Sequence, residues 1–293
     1  MKTILVTGAS GYLGSRLIRV FDPDKYRLLI LRRSTTKLDR IADLVDQVEF
    51  VDRESRTIDD LFAEERIDTV LHCATTYSTT PGETGAVIAS NLSLPLQLLE
   101  TGCRHHLTTF INIDTVIDNC HSSYSLSKRQ FREWLQFYAP QLTAINFSLA
   151  NFYGPHDDPD KFVAGILQAL LTGADHIDLT SGEQKRDFIF IDDVLTAFGT
   201  VLNKSADLGS EYHPFEVGTG DLISIRDFVE RLKQASGNTS TELRFGAVAQ
   251  RTCEVMEPAV DLHAMERLGW KARCSLAEGI TKTIAEEKKA RHQ

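Results

Sequence analysis

The chain has 293 residues, 42% hydrophobic and 25% charged, which suits one large domain or two intimately joined ones and excludes a disordered, collagen-like or low-complexity protein. Its formal net charge of −9 argues against duplex nucleic acid or a membrane surface as partner, but leaves room for phosphate held by local devices. Five cysteines, odd in number, irregularly spaced and without a C-x-x-C, set aside a disulfide framework or a zinc site and point to a reducing cytoplasm. The nine histidines show no H-E-x-x-H spacing, so no metal is expected. No apolar run nears the ~18 residues of a membrane span. Met1-Lys2 leads straight into a strand-length run rather than a secretory leader.

Thr3–Thr7 is a short β-rich run, and Tyr12–Phe21 carries Leu13, Leu17, Ile18 and Phe21 at helical spacing. Arg27–Leu31 reads as a strand, Leu38–Val45 as a short helix, Val48–Val51 as a strand, Ile58–Glu65 as a helix and Thr69–His72 as a strand. A helix begun near Ala86 runs on through Pro95–Thr101, followed by a strand at Thr109–Ile113, a helix at Ser127–Tyr138 and a strand at Thr143–Phe147. Near-continuous apolar strands between amphipathic helices predict an α/β fold whose parallel sheet is covered on both faces. The rhythm changes after Asn151-Phe-Tyr-Gly-Pro155. Helices near 162–172 and 225–235 then mix with short strands near 177–180, 188–191 and 213–217, and Thr281–Gln293 reads as a polar helix end in solvent. The expected division is a Rossmann-type, doubly wound domain over 1–155, with segments returning near 188–218, and a smaller mixed α/β substrate-binding lobe over 156–293.

Thr7-Gly8-Ala9-Ser10-Gly11-Tyr12-Leu13-Gly14 joins the first strand to the first helix. Its first glycine gap is one residue longer than in G-x-G-x-x-G, but the mechanics are shared. Gly8 and Gly11 permit a tight turn and close approach to a pyrophosphate, and Gly14 lets the helix lie against the strand. Gly8, Ser10, Gly11, Tyr12, Leu13 and Gly14 are therefore candidate dinucleotide contacts. NAD binders place an acid about 20 residues further on, to hold the ribose 2′-hydroxyl. Here the second strand ends in Arg32-Arg33-Ser34, which suits a 2′-phosphate, so NADP(H) is favoured over NAD. Asp52 and Arg53, after the third strand, are candidates near the adenine. Tyr124 and Lys128 are four apart on one helix and share a face. A cation beside Tyr124 favours its phenolate, which suits proton exchange with a substrate oxygen. A helix-surface pair is the plainer alternative.

The residues at 7–14, the Tyr124–Lys128 pair and Asn151-x-Tyr153-Gly154-Pro155 resemble the extended short-chain dehydrogenase/reductase superfamily, in particular its nucleotide-sugar epimerase/dehydratase group. Gly182-Glu-Gln-Lys-Arg186-Asp187-Phe-Ile-Phe-Ile-Asp192-Asp193-Val194 is similar to that group's G-x-x-x-R-D-F-x-x-V-D-D-V segment. Glu216-Val-Gly-Thr-Gly220, Arg251 and Leu268-Gly269-Trp270 match later signposts, so the resemblance spans essentially the whole chain. It implies a catalytic set of Thr115, Tyr124 and Lys128, with Ser122 or Ser123 as alternatives to Thr115. It also implies that Ala74 and Thr75 line the cofactor cleft, and that Asn91 either organises the catalytic helix or caps a helix start. Asn151, Arg186 and Arg251 would meet the nucleotide sugar, a surface ion pair being the plainer reading for either arginine.

Departures from the group narrow the implied reaction. Its 4,6-dehydratases follow the catalytic Thr with Asp-Glu, whereas Val116-Ile117 stands here and cannot carry protons. Epimerase-reductases need a further acid/base pair, for which only His156 and Cys120 offer themselves. The Gly182–Val194 and Phe245–Arg251 stretches are similar to the CDP-4-keto-dideoxyhexose 4-reductases, implying NADPH-dependent reduction of a nucleotide 4-keto-6-deoxyhexose. A 4-epimerase retaining NAD and a non-enzymatic dinucleotide sensor remain alternatives. Tyr124 follows Thr115 by only nine positions, where relatives often carry a longer loop. The resemblance also implies a homodimer through the helices near 91–102 and 127–139, although packing on the sheet explains their apolar stripes equally well.

Overall fold

The computed structural model describes residues 1–77, 82–117, 122–250 and 254–291. β1 (Lys2–Thr7) buries Ile4, Leu5 and Val6 almost completely, as a strand covered on both faces must. α1 (Tyr12–Leu17) follows and continues as a 3-10 turn through Val20. Next come β2 (Tyr26–Arg32), a 3-10 segment at Asp39–Leu44 in place of the expected short helix, and β3 (Glu49–Asp52). α2 (Ile58–Glu64) is capped by the Thr57 hydroxyl, which accepts the Asp60 N–H, and leads to β4 (Thr69–His72). α3 (Thr84–Ile88), a π turn at Ala89–Ser93 and α4 (Leu94–Arg104) form one helical run. β5 (Thr109–Thr115), α5 (Ser123–Tyr138) and β6 (Thr143–Leu149) complete the first half. α5 starts earlier than the periodicity predicts, because Ser122 and Ser125 form a reciprocal capping box.

The remaining elements are β7 (Asn151–Tyr153), α6 (Phe162–Thr172), β8 (His176–Leu179), β9 (Lys185–Phe190), α7 (Ile191–Lys204), β10 (Tyr212–Val217), β11 (Leu222–Ser224), α8 (Ile225–Ser236), β12 (Glu242–Phe245), α9 (His263–Arg267) and α10 (Leu276–Arg291). The chain divides into two compact units, Met1–Ser148 with Phe198–Phe215, and Leu149–Ala197 with Glu216–Gln293.

The principal sheet has seven strands in the order β10-β6-β5-β4-β1-β2-β3, with β1 pairing in parallel with both β2 and β4. This is the doubly wound Rossmann arrangement, and its strand order reverses between β1 and β4. Leu98 and Leu99 of α4, and Phe131 and Leu135 of α5, pack under Val70, Phe110 and Ala144 of the strands. Burial of each large side chain contributes about 1.5–3 kcal/mol, so these helices are held chiefly by the sheet face.

In the second unit β9 pairs antiparallel with β11 and parallel with β7, while β8 and β12 form a separate parallel pair. Phe188 stacks on Phe228 at 3.8 Å between ring centroids, with Tyr153 edge-on to both. Two expectations are corrected here. The strand read to 191 ends at Phe190 and gives way to α7, whose first turn carries Asp192 and Asp193 where acids are favoured. The segment read as a solvated helix end belongs to α10, which buries Thr283 and Ile284 and leaves residues 288–291 exposed. Among the described residues no helix is long and apolar enough to cross a membrane.

Candidate active site

β1 ends where the sheet order reverses, and the glycine loop follows immediately. Gly8 has φ +71°, and a Cβ on it would lie 2.5 Å from the Ala74 nitrogen, in the loop after β4. A Cβ on Gly14 would collide with the Gly8 carbonyl oxygen. The Gly11 N–H donates to that same carbonyl at 3.1 Å. Ser10 is half-buried and Gly11 exposed, while Tyr12 and Leu13 are buried beneath them, with the Arg16 guanidinium 3.9 Å over the Tyr12 ring. Thr7 ties the two loops together: its hydroxyl accepts the Ala74 N–H at 3.2 Å and meets His72 Nδ1 at 2.8 Å. A backbone cradle that any side chain would fill, at a strand-order reversal, fits the pyrophosphate of a dinucleotide.

The end of β2 mixes both charges. Arg32 lies 4.8 Å over the Phe50 ring, and its buried Nε has no hydrogen-bond partner among the described residues, a donor that a ligand oxygen would satisfy. Arg33 and Ser34 are exposed. The Ser34 N–H donates to the Glu54 carboxylate at 2.9 Å, and the Glu54 N–H donates to Asp52 Oδ1 at 3.1 Å. Hydrogen bonds from Glu54, side chain and then backbone, hold the Asp52 carboxyl below its usual range. The Arg53 N–H reaches the Arg32 carbonyl at 2.9 Å, joining the two strand ends. Sequence reasoning looked for the ribose acid near the end of the second strand and named Asp52 and Arg53 after the third, but did not single out Glu54.

Thr115 ends β5 and Tyr124 and Lys128 lie in the first turns of α5. Lys128 is buried and its Nζ donates to the Ile113 carbonyl at 2.8 Å. Burial lowers its pKa, opposed by the charge of Asp114. Tyr124 is pushed well above the ordinary tyrosine value, first by burial and then by Tyr77, whose ring lies tilted against it at 4.5 Å between centroids. That is opposite to the direction expected from the Tyr-Lys spacing, and burial, Tyr77 and Asp114 all act to raise it. Thr115 accepts the Ile117 N–H at 3.2 Å. Ser122 is engaged as the α5 cap, accepting the Ser125 N–H at 3.0 Å. Asn91 is fully buried in the π turn rather than capping a helix start. It accepts the Thr76 N–H at 2.8 Å, and its amide reaches the Thr76 carbonyl at 3.0 Å and the Ser127 hydroxyl at 3.1 Å. Thr75 donates to it at 3.2 Å.

Behind Thr115 lies a buried polar network that the sequence reading missed. One Asp114 oxygen accepts the Thr115 N–H at 2.8 Å; the other accepts Arg132 Nε at 2.6 Å and the Asn146 amide at 3.1 Å. Asn112 donates to Asn146 at 2.7 Å. Its signal was legible: Asn112 and Asp114 interrupt one face of an otherwise apolar strand at period two, and Asn146 and Ser148 do the same on its neighbour.

In the second unit the motif residues are taken up by the fold. Arg186 is buried, paired with Glu254, and donates to the Val255 carbonyl at 2.8 Å. Asp187 accepts the Thr219 N–H, the Thr219 hydroxyl at 2.7 Å and the Gly220 N–H at 2.8 Å. Asp193 accepts the N–H groups of Arg273 and Cys274 at 3.1 and 2.9 Å. Asn151 sits half-buried in β7, in register with Phe188. The His156 N–H donates to Glu287 at 2.6 Å, in a left-handed backbone conformation with φ +63°. Arg251 and Cys120 lie outside the described residues. Among the described residues no three His, Cys, Asp or Glu side chains are placed to hold a metal ion.

Comparison with known proteins gives a consistent picture. The sequence pattern of the NAD dependent epimerase/dehydratase family matches residues 4–218. A CDP-abequose synthase of Salmonella muenchen is 30% identical, covering 97% of this chain and 97% of its own length. A second, from Salmonella typhimurium strain LT2, is 27% identical over 96% of this chain and 97% of its own. Among solved structures, UDP-glucose 4-epimerase of Thermotoga maritima with UDP-glucose is similar at a TM-score of 0.84, 24% identity and 99% coverage of each chain. UDP-glucuronic acid 4-epimerase from Bacillus cereus, in complex with UDP-glucuronic acid and NAD, is similar at a TM-score of 0.85 and 22% identity, covering 98% of this chain and 99% of its own. At these identities the solved structures speak for the fold.

Proposed function

The chain belongs to the NAD dependent epimerase/dehydratase family, and from that premise we propose that it reduces the C4 ketone of a nucleotide-linked 4-keto-6-deoxyhexose with NADPH. It is an NAD(P)-dependent enzyme of the extended short-chain dehydrogenase/reductase type. The observation that carries the finer reading is the end-to-end match to two CDP-abequose synthases, which makes a CDP-linked sugar the first substrate to try and a dTDP-linked one the second.

A nicotinamide dinucleotide, when bound, supplies the hydride. Gly8, Gly11 and Gly14 hold its pyrophosphate, and Arg32, Arg33 and Ser34 face its adenosine ribose. Ala74 and Thr75 line the cleft between them, held by Thr7 and Asn91. Tyr124 gives a proton to the sugar oxygen, and Thr115 orients that oxygen with its hydroxyl. Lys128 positions the cofactor ribose once it leaves the Ile113 carbonyl. A phenol is protonated at neutral pH, the form a ketone reductase needs in its donor, and the burial of Tyr124 favours that form further. Val116 and Ile117 offer no proton carrier for dehydration. Asn151, Arg186 and Arg251 belong to the lobe that receives the nucleotide sugar, where Arg186 exchanges Glu254 for substrate phosphate.

A second reading, a 4-epimerase that retains NAD, is favoured by one observation: the Glu54 carboxylate at the ribose end suits an unphosphorylated dinucleotide. NADPH oxidation with CDP-, dTDP-, UDP- and GDP-linked 4-keto sugars separates the two. Turnover with added NADPH supports the reductase; dinucleotide retained through purification, with turnover in its absence, overturns it.

The active species is a homodimer in the cytoplasm. α5 exposes Leu126, Trp134 and Phe137 along one side, with Phe137 68% accessible, and α3 exposes Ile88. A second copy covers this stripe. Light scattering tests the stoichiometry, and Phe137→Glu is expected to give monomers.

A further inference from the structure

The end of β2 presents two opposed recognition devices. A 2′-phosphate calls for cations and N–H donors, and a bare ribose hydroxyl for a carboxylate acceptor. Arg32 and Arg33 supply the first, and Glu54 the second. The Ser34 N–H, a natural donor for a phosphate oxygen, is already held by Glu54 at 2.9 Å. Glu54 is brought there by strand register. Arg32 pairs with Asp52 across β2 and β3, and the Arg53 N–H extends that ladder onto the Arg32 carbonyl at 2.9 Å. The next residue, Glu54, then folds back with its N–H on Asp52 Oδ1 at 3.1 Å, which aims its carboxylate across to Ser34.

We propose that Glu54 sets the balance of this corner between phosphorylated and unphosphorylated dinucleotides. Seated on the Ser34 N–H, it accepts from a ribose hydroxyl and repels a 2′-phosphate. NADPH binds by expelling it, so that the phosphate takes the Ser34 N–H and pairs with the guanidinium groups of Arg33 and Arg32, the latter with an Nε that has no partner among the described residues. The native chain therefore binds NADPH below the affinity its arginines allow, and retains binding of NADH. This rests on the dinucleotide reading of the glycine loop.

The test needs no knowledge of the sugar. Dissociation constants of NADPH and NADH are measured by cofactor fluorescence for the native chain, Glu54→Gln and Arg33→Ala, with 2′,5′-ADP and 5′-AMP as probes of the adenosine corner alone. Glu54→Gln is expected to tighten NADPH and 2′,5′-ADP by about tenfold, the scale of one partly screened charge pair, with NADH and 5′-AMP unchanged or weaker. Arg33→Ala is expected to weaken only the phosphorylated pair. A Glu54→Gln ratio of NADPH to NADH affinity equal to that of the native chain, with both still bound, overturns the role of Glu54 alone. Failure of the native chain to bind either dinucleotide overturns the cofactor reading and this inference with it. Because NADH binding is itself measured, a misfolded variant declares itself, and Glu54→Ala then serves as the second substitution.

Discussion

The two units treat their motif residues differently. In the first, the glycine loop keeps its backbone open, Arg32 carries a donor with no partner among the described residues, and Thr115, Tyr124 and Lys128 stand on a scaffold built by other residues: Asn91, Asp114 and Arg132. In the second, the motif residues are the scaffold. Asp187 and Asp193 each bind two successive backbone N–H groups, and Arg186 is anchored to a carbonyl and a carboxylate. A buried charge must be paired before anything else is asked of it, so a charged motif in a core serves folding first.

Substitutions break this contrast in order of size. Tyr124→Phe is expected to cost about 10²–10⁴-fold in turnover with the thermal midpoint unmoved, read by pairing steady-state rates with calorimetry. A matching loss of stability would erase the distinction. Asp187→Ala runs the other way. It strands the Thr219 and Gly220 donors and is expected to lower unfolding free energy by about 3 kcal/mol in urea titration, with loss of activity following the unfolded fraction.

A subtler probe is pH. With the Tyr124 pKa raised, reductive activity is expected to stay level through neutral pH and fall only above pH 10, the ordinary tyrosine value. Tyr77→Phe removes one of the raising causes, so the alkaline limb should move to lower pH. An unmoved limb would show that Tyr77 does not act on Tyr124. The smallest effect concerns Cys73, whose thiol burial pushes up to about 12. At pH 8 it is expected to alkylate far more slowly in the native chain than after unfolding, as peptide mass spectrometry would show.

The parallel half was legible because strands buried on both faces must be apolar runs, so β1, β4 and β6 announce themselves in Ile4–Val6, Thr69–Leu71 and Ala144–Phe147. β7 and β11, three residues each, carry too few positions for a period to show, and exist because β9 lies between them. α7 was hidden because Phe188–Ile191 reads as a strand running straight into the helix. In the site, glycine loop and Tyr-Lys spacing are local signals. Glu54 on Ser34, 20 residues away, and Arg132 on Asp114, 18 away, are not local: only the fold brings each pair together. A rule that counts along the chain from the glycines reaches only the end of β2, whereas Glu54 arrives there through the fold.

The π turn at Ala89–Ser93 carries one residue more than an α-helical turn would hold. Deleting any one of those residues other than Asn91 would restore a regular α-helical turn, leaving α3 and α4 in phase but moving Asn91 out of the bulge. Asn91, which ties the loop after β4 to the helix of Tyr124 and Lys128, would then swing off both partners while every side chain of the catalytic set stayed in the sequence. Here the length of the chain is as much a component of the site as any functional group. A single deletion, conserving every motif, would be expected to silence the protein as surely as the loss of its tyrosine.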